Sequence, residues 1–152
     1  FVCSFICLSS CSSDDDGTPE EEMAQPEEEV LDFSLLVDSW QASDFVFENA
    51  NTSLPDTNVL GLGATVTLEV NDNGAFTFTL MFEEPQGTVM NSGEFRIENN
   101  ILQAKFENNA NYNDLEAEIE EESLSLEGLG IFDFSGEGSN VPLRFRGRFF
   151  RD

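Results

Sequence analysis

An alternation of apolar and polar residues with a period of two constrains the fold of this chain more than any other feature. Residues 65–70 read Thr-Val-Thr-Leu-Glu-Val, and residues 76–82 read Phe-Thr-Phe-Thr-Leu-Met-Phe. Side chains that alternate in this way belong to strands with one buried face. Asp72-Asn73-Gly74 separates the two runs, and Asn-Gly supplies the positive φ angles that a tight hairpin turn requires. The segment therefore predicts a β-hairpin.

The same rhythm continues to the end of the chain. A second hairpin is predicted around Asn99-Asn100 and a third around residues 120–123, and apolar residues recur again over residues 143–149. Turn signals follow one another every 8 to 12 residues, as in antiparallel all-β domains. We therefore predict an all-β fold, an antiparallel up-and-down meander that closes as a barrel of about eight strands. A β-sandwich is the alternative.

Helical periodicity is confined to one short segment before the first predicted strand. Between Glu29 and Ser39, the apolar residues Val30, Phe33, Leu36 and Val37 recur at helical spacing, which fits one face of a short helix. We expect a short N-terminal helix that leads into the strand containing Trp40.

A resemblance to a known family rests on this strand pattern and on a few residues. Asp38-Ser39-Trp40 opens the first strand, Gly93-Glu94-Phe95 begins a middle strand, and arginines crowd the last strand. Together with the Asp-Asn-Gly turn, these features resemble the lipocalin-like β-barrel domains of Bacteroidota-type lipoproteins over residues 36–151. Family members carry Gly-x-Trp at the first strand, so Trp40 matches and Asp38 stands in place of the glycine.

The resemblance also implies how one end of the barrel is closed. In the family, an arginine from the last strand packs over the tryptophan as a cation–π contact. We assign this barrel-closing role to Trp40 and Arg148, with Arg151 as the other candidate. A second interpretation is open, because Arg144, Arg146 and Arg148 alternate on one strand face and would balance acidic residues on neighbouring strands.

The N-terminal residues predict export and lipidation. An apolar run over residues 1–8 resembles a signal-peptide core, and Leu8-Ser9-Ser10-Cys11 resembles the lipobox of bacterial lipoproteins. Residues 12–29 are rich in Asp, Glu and Pro, a composition that cannot fold alone. We expect a truncated signal peptide over 1–10, lipidated Cys11 with a disordered acidic tether over 11–29, and the barrel domain over 30–152.

The predicted localisation follows from the same residues. A lipidated cysteine followed by serine and acidic residues resembles the export signal for the outer face of the outer membrane, so we expect a lipid-anchored, surface-exposed protein. Two alternatives remain open: a generic acidic linker, and a buried N-terminal strand with three incidental cysteines.

The charge and the missing histidine exclude several functions. Lys plus Arg number 6 against 31 Asp plus Glu, giving a formal charge of -25. Nucleic acid is therefore not expected as a partner, because phosphate binding needs clustered cations. The chain has no His, which removes the usual general base and the commonest metal ligand. We expect no catalytic activity and no cofactor.

Acidic clusters offer candidate sites for two kinds of chemistry, glycoside hydrolysis and calcium binding, and structural roles explain them better. Asp133 with Glu137, and Glu116, Glu118 and Glu120, offer carboxylate pairs of the kind used in glycoside hydrolysis. The last three alternate with apolar residues and fit a solvated strand face. Asp72-Asn73 and the loop over residues 133–140 offer oxygens for calcium, but neither has EF-hand spacing. We therefore expect no specific metal site.

The predicted function is a non-catalytic binding module. The expected site is the barrel interior, where an apolar pocket would take a small apolar ligand; its candidate lining residues are Trp40, Phe76, Phe78 and Phe145. The alternative is a structural or accessory subunit that docks on an outer-membrane complex through a sheet edge or the arginine-rich last strand. An interior cavity above about 300 Å³ would favour the ligand, and a filled interior would favour docking.

Overall fold

The computed structural model describes residues 29–49, 55–107, 109–135 and 137–152. Nearly all regular structure in these residues is β. The elements are α1 Phe33–Leu36, β1 Ser39–Phe47, β2 Thr57–Asn58, a 3-10 helix Leu60–Leu62, β3 Thr65–Val70, β4 Ala75–Met81, β5 Thr88–Glu98, β6 Ile101–Phe106, β7 Asn113–Ile119, β8 Ser123–Asp133 and β9 Asn140–Arg151.

The strands form a closed antiparallel meander. From β3 to β9 each strand pairs with the next one along the chain, and β1 pairs with both β3 and β9. Eight strands therefore close into a barrel, as the sequence predicts, and the β-sandwich alternative is wrong. The short β2 lies outside the barrel and extends the sheet beside the end of β1, where Val46 faces Asn58. This architecture is consistent with the lipocalin-like barrel that the resemblance implies.

The two ends of the barrel differ. At one end, here called the helix end, α1 lies beside the tight turns at residues 71–74, 99–100 and 120–122. At the other end, the loop end, longer connections join β4 to β5, β6 to β7 and β8 to β9. The chain enters the described structure at the helix end.

The predicted hairpins are confirmed, and the turn chemistry explains two of them. Asn99 and Asn100 both have positive φ, 54° and 61°, as a two-residue hairpin turn requires. In the β3–β4 turn only Gly74 has positive φ. There the Asn73 side-chain oxygen accepts a hydrogen bond from the Ala75 N–H at 3.0 Å, and Asn71 pairs with Ala75. This turn therefore has three residues rather than two.

A β-bulge changes the phase of alternation in β1. Trp40 and Ala42 point into the barrel, the register against β9 shifts between Ala42 and Asp44, and from there Phe45 and Phe47 point inward. The extra residue, Ser43, lies outside and its hydroxyl donates to the Arg148 carbonyl at 3.3 Å. One inserted residue thus keeps large apolar side chains on the inner face along the whole strand.

Phenylalanine rings fill the barrel interior. Phe78 is completely buried and lies 5.8 Å from Phe145 and 6.2 Å from Phe149, measured between ring centroids. Phe76 stacks on Phe95 at 4.2 Å. Burying a ring of this size stabilises the fold by about 1.5–3 kcal/mol. Aliphatic residues complete the core, among them Leu68 of β3, Leu102 of β6 and Leu126 of β8.

The α-helical turn α1 lies in the segment predicted to be helical. The Asp32 side chain accepts a hydrogen bond from the Ser34 N–H at 2.9 Å and caps α1, and Leu36 is buried under the barrel. The Ser34 hydroxyl also donates to Asp32 Oδ1, at 2.7 Å. The hydrogen bond from this hydroxyl, together with the one from the Ser34 N–H, lowers the pKa of Asp32. Within the described ranges no helix has both the length and the apolar character needed to cross a membrane.

Candidate functional site

The residues predicted to line a ligand pocket lie together in the filled core. Trp40, Phe78 and Phe145 are completely buried, and Phe76 is 2% exposed. Phe76 and Phe78 pack edge to face with ring centroids 5.5 Å apart. Because these rings pack against one another, they occupy the space that an interior ligand would need.

Trp40 anchors the helix end of the barrel. Its indole N–H donates to the Leu36 carbonyl at 2.9 Å, which ties β1 to α1. The guanidinium of Arg151 lies over the indole ring, 4.9 Å from its centroid. Arg151 also donates to the Leu35 carbonyl at 2.9 Å and pairs with Asp38, whose Oδ2 lies 3.1 Å from Nε. Arg151 thus joins β9, β1 and α1.

The assignment of Arg148 as the barrel-closing residue is therefore corrected to Arg151. Arg148 lies exposed on the outer face of β9, in register with Asp44 on one side and Ser125 on the other. Residues that alternate with the buried Phe145 and Phe149 point away from the interior, so Arg148 cannot reach the Trp40 ring.

Arg144, Arg146 and Arg148 form an outward stripe along β9, as the alternative interpretation expects. Arg144 pairs with Glu48 at 3.1 Å and with Glu127 at 3.4 Å. The Glu48 carboxylate raises the pKa of Arg144, chiefly through their hydrogen bond. Arg146 lies 3.8 Å from an Asp56 oxygen. Two of the three arginines thus contact carboxylates on neighbouring segments.

In the loop over residues 133–140, one of the two calcium candidates, the Asp133 carboxylate accepts hydrogen bonds from within the protein. Asp133 Oδ1 accepts from the Ser135 N–H at 3.0 Å and from the Ser135 hydroxyl at 2.8 Å, and Oδ2 accepts from the Gly138 N–H at 2.7 Å. Asp133 therefore organises the β8–β9 loop. In the other candidate, Asn73 Oδ1 accepts a hydrogen bond from the Ala75 N–H at 3.0 Å. In the described part of the chain, no group of three or more potential ligating residues is arranged to hold a metal ion.

The carboxylates considered for catalysis lie on solvent-exposed surfaces. Glu116 and Glu118 point outward from β7, Glu120 begins the following turn, and Glu137 lies exposed in the β8–β9 loop. Glu120 accepts a hydrogen bond from the Ser123 hydroxyl at 2.7 Å, which is a turn contact. Glu116 and Glu118 lie on the predicted solvated strand face, whereas Glu120 lies just past the end of β7.

A small polar cluster surrounds Tyr112 outside the barrel. Its hydroxyl hydrogen bonds to Glu94, which raises the pKa of Tyr112 and lowers that of Glu94; Lys105 lowers the Glu94 pKa further. The Lys105 amine lies 3.1 Å from a Glu94 oxygen, and the Arg96 guanidinium lies 3.8 Å from the centre of the Tyr112 ring. These contacts tie the β6–β7 connection to β5.

A large depression lies along the outside of the barrel wall. This outer-face groove has a volume of about 1100 Å³ and is open to solvent. Residues of β7, β8 and β9 line it together with Asp44, residues 100–102 and residues 29–32. Its charged lining residues are Glu29, Asp32, Asp44, Asp114, Glu116, Glu118, Glu127, Arg144, Arg146 and Arg148. Carboxylates outnumber arginines, so the groove is net acidic.

The N-terminal segment forms one wall of this groove, which the sequence did not predict. Asn100, at the β5–β6 turn, accepts a hydrogen bond from the Leu31 N–H at 2.8 Å and donates to the Glu29 carbonyl at 3.0 Å. Its side-chain amide thus pairs with residues 29–31 as a neighbouring strand would. The only sequence signal was Asn100 itself, which reads as a turn residue.

A second, smaller cavity of about 70 Å³ lies at the loop end. Asn91, which is 7% exposed, lines it from β5. The Asn91 side-chain oxygen accepts a hydrogen bond from the Asp133 N–H at 2.8 Å. This contact ties β5 to the end of β8 across the barrel.

No protein-family model and no curated protein matches the chain. The predicted lipidation site Cys11, the lipobox and most of the acidic tether fall within residues 1–28, outside the described residues.

Proposed function

We propose that this chain is a lipid-anchored lipoprotein of the outer membrane whose lipocalin-like barrel is a non-catalytic module that docks on another envelope protein. The observation that carries the proposal is the filled interior. Phe78 is completely buried among other rings at the barrel centre, where a carrier protein would hold its ligand. The outer-face groove, in contrast, is large and open.

The point at which the chain enters the barrel supports an orientation in which the helix end faces the membrane. An anchor at Cys11 would be joined to the barrel at its helix end, because the described chain begins there at Glu29. An extended segment of about 18 residues spans about 50 Å. The barrel would then stand away from the membrane surface, with its loop end and its walls accessible to a partner.

Native mass spectrometry of the full chain, extracted in mild detergent from its own envelope, tests the proposal. We expect covalent acyl chains on the peptide that begins with Cys11, and a barrel that is retained in a complex with a second protein. The Cys11→Ala variant is the control and is expected to leave the membrane fraction. A barrel that carries a tightly held metabolite or free lipid, without a protein partner, would contradict docking and support carriage.

A further inference from the structure

Strand β7 extends beyond its neighbour β6. The last residues paired between these strands are Leu102 and Leu115, since β6 begins at Ile101, directly after the Asn99-Asn100 turn. β7 continues to Ile119 and over this stretch pairs with β8 on its other side. The final four residues of β7 therefore form a sheet edge at the helix end of the barrel.

The register shows which backbone groups face this edge. The Glu120 N–H donates to the Ser123 carbonyl at 2.9 Å, across the β7–β8 turn. Hydrogen-bonded pairs alternate in an antiparallel ladder, so Glu118 directs its N–H and C=O towards β8. Ala117 and Ile119 direct theirs to the opposite side. Neither has a strand partner there among the described residues.

This edge faces the outer-face groove. Residues 116–119 and residues 29–32 both line the groove. Asn100 holds residues 29–31 in place through its two hydrogen bonds. We call the space between these two backbones the edge slot. An unpaired strand edge is a template on which an extended peptide adds as a further strand.

The side chains around the edge slot specify the chemistry of its occupant. Outside the barrel, Glu116 and Glu118 are exposed, and neither has a Lys or Arg within ion-pair distance in the described residues. Glu29 and Asp32, which also line the groove, add negative charge. On the inner side the neighbours are apolar, Ala117 and Ile119. An added strand therefore needs basic side chains outward and apolar side chains inward.

We propose that the edge slot binds an extended segment of a partner protein in which basic and apolar residues alternate, by strand addition to β7. The inference builds on the proposed docking function and names the docking surface. Charge excludes two other occupants: the chain's own acidic residues 14–28 and the β7 edge of a second copy, because both would bring carboxylates against Glu116 and Glu118.

Binding of a fluorescent Lys-Val-Lys-Val-Lys-Val peptide to the full chain tests this inference by anisotropy. Ala117→Pro removes the N–H that faces the edge slot and leaves the β8 hydrogen bonds intact, and an edge strand tolerates proline. We expect it to weaken binding about tenfold, the equivalent of one or two hydrogen bonds. The control Ala117→Val keeps the N–H and is expected to bind like the wild type.

Two further measurements keep the test decisive if Ala117→Pro does not fold. Substituting Glu116→Lys together with Glu118→Lys should abolish binding of the basic peptide. The amide protons of Ala117 and Ile119 should exchange more slowly when the peptide is bound to the wild type. Unchanged exchange, or equal affinity for a Glu-Val repeat, would overturn the inference. If a protein partner is still found in the envelope complex, docking stands and only the surface is wrong.

Discussion

At the scale of single residues, alternation along β9 decides which arginine reaches Trp40. On β9 the buried residues Phe145, Gly147 and Phe149 are odd-numbered, and Arg151 continues their face to the helix end, where it meets Trp40. Arg148 is even-numbered and faces solvent. The period-two pattern that predicted the strand thus also distinguishes the inward-facing Arg151 from the outward-facing Arg148. The resemblance alone did not.

Replacing Arg151 should therefore destabilise the barrel, and replacing Arg148 should not. Arg151→Ala removes the cation–π contact, the hydrogen bond to Leu35 and a half-exposed ion pair. We expect a loss of about 1–3 kcal/mol in the free energy of unfolding. Arg148→Ala, the matched control on the same strand, should change it by less than about 0.5 kcal/mol. Urea unfolding followed by the fluorescence of Trp40 measures both, and equal losses would contradict the assignment.

At the scale of elements, the sequence predicted the strands where alternation is uninterrupted. The β3–β4 hairpin, the Asn99-Asn100 turn and the short helix all follow from local pattern. The bulge at Ser43 was not predicted, because an inserted residue breaks the period without any turn signal. The two-residue β2 is too short for a pattern to be seen, and its pairing with β1 depends on tertiary position.

A glycine paired with phenylalanines on both neighbouring strands makes room for the aromatic core. Gly93 on β5 lies in register between Phe76 of β4 and Phe106 of β6. A Cβ added to Gly93 would lie 2.6 Å from the Phe76 ring and would also collide with the Lys105 carbonyl. The strand backbone occupies the space beside the ring, so the missing side chain makes room for the aromatic core.

Gly93→Ala should consequently destabilise the protein. The added methyl must displace a packed ring or the backbone, and overpacking of this kind costs about 1–3 kcal/mol. Gly61→Ala is the matched control, since a Cβ there has its nearest neighbours at 3.9 Å, and we expect a change below about 0.5 kcal/mol. Thermal and urea unfolding compare the two variants. A Gly93→Ala protein as stable as Gly61→Ala would show that the core has unrecognised free space.

At the scale of the whole molecule, the edge slot and the filled interior depend on strand lengths and on barrel closure, which could not be predicted from the sequence. The edge slot exists because β7 ends four residues beyond its last pair with β6. Sequence patterns place strand ends only to within a few residues, so they could not predict this difference in strand length. The core residues, in contrast, were predictable: Trp40, Phe76, Phe78 and Phe145 share the interior as expected. Whether that interior is filled or hollow depends on how rings from opposite walls meet, which alternation does not encode.

The excess of acidic residues gives the molecule a stability that depends on salt. With 31 acidic residues against 6 basic ones, repulsion between carboxylates outweighs the few surface ion pairs, each worth at most about 1 kcal/mol. Raising NaCl from about 0.01 M to about 1 M shortens the screening length from about 30 Å to about 3 Å. Salt weakens attraction and repulsion alike. Because repulsions outnumber attractions here, we expect added salt to stabilise the fold and to raise the unfolding temperature.

The control for this salt effect is the Glu121→Gln, Glu122→Gln double variant. It removes two charges from the run of three acidic residues at the β7–β8 turn and leaves the Glu120–Ser123 hydrogen bond in place. Less repulsion remains to be screened, so its unfolding temperature should start higher at low salt and rise less. If salt raises the unfolding temperature of the variant as much as that of the wild type, the effect is general salting-out. The acidic surface would then not measurably destabilise the fold.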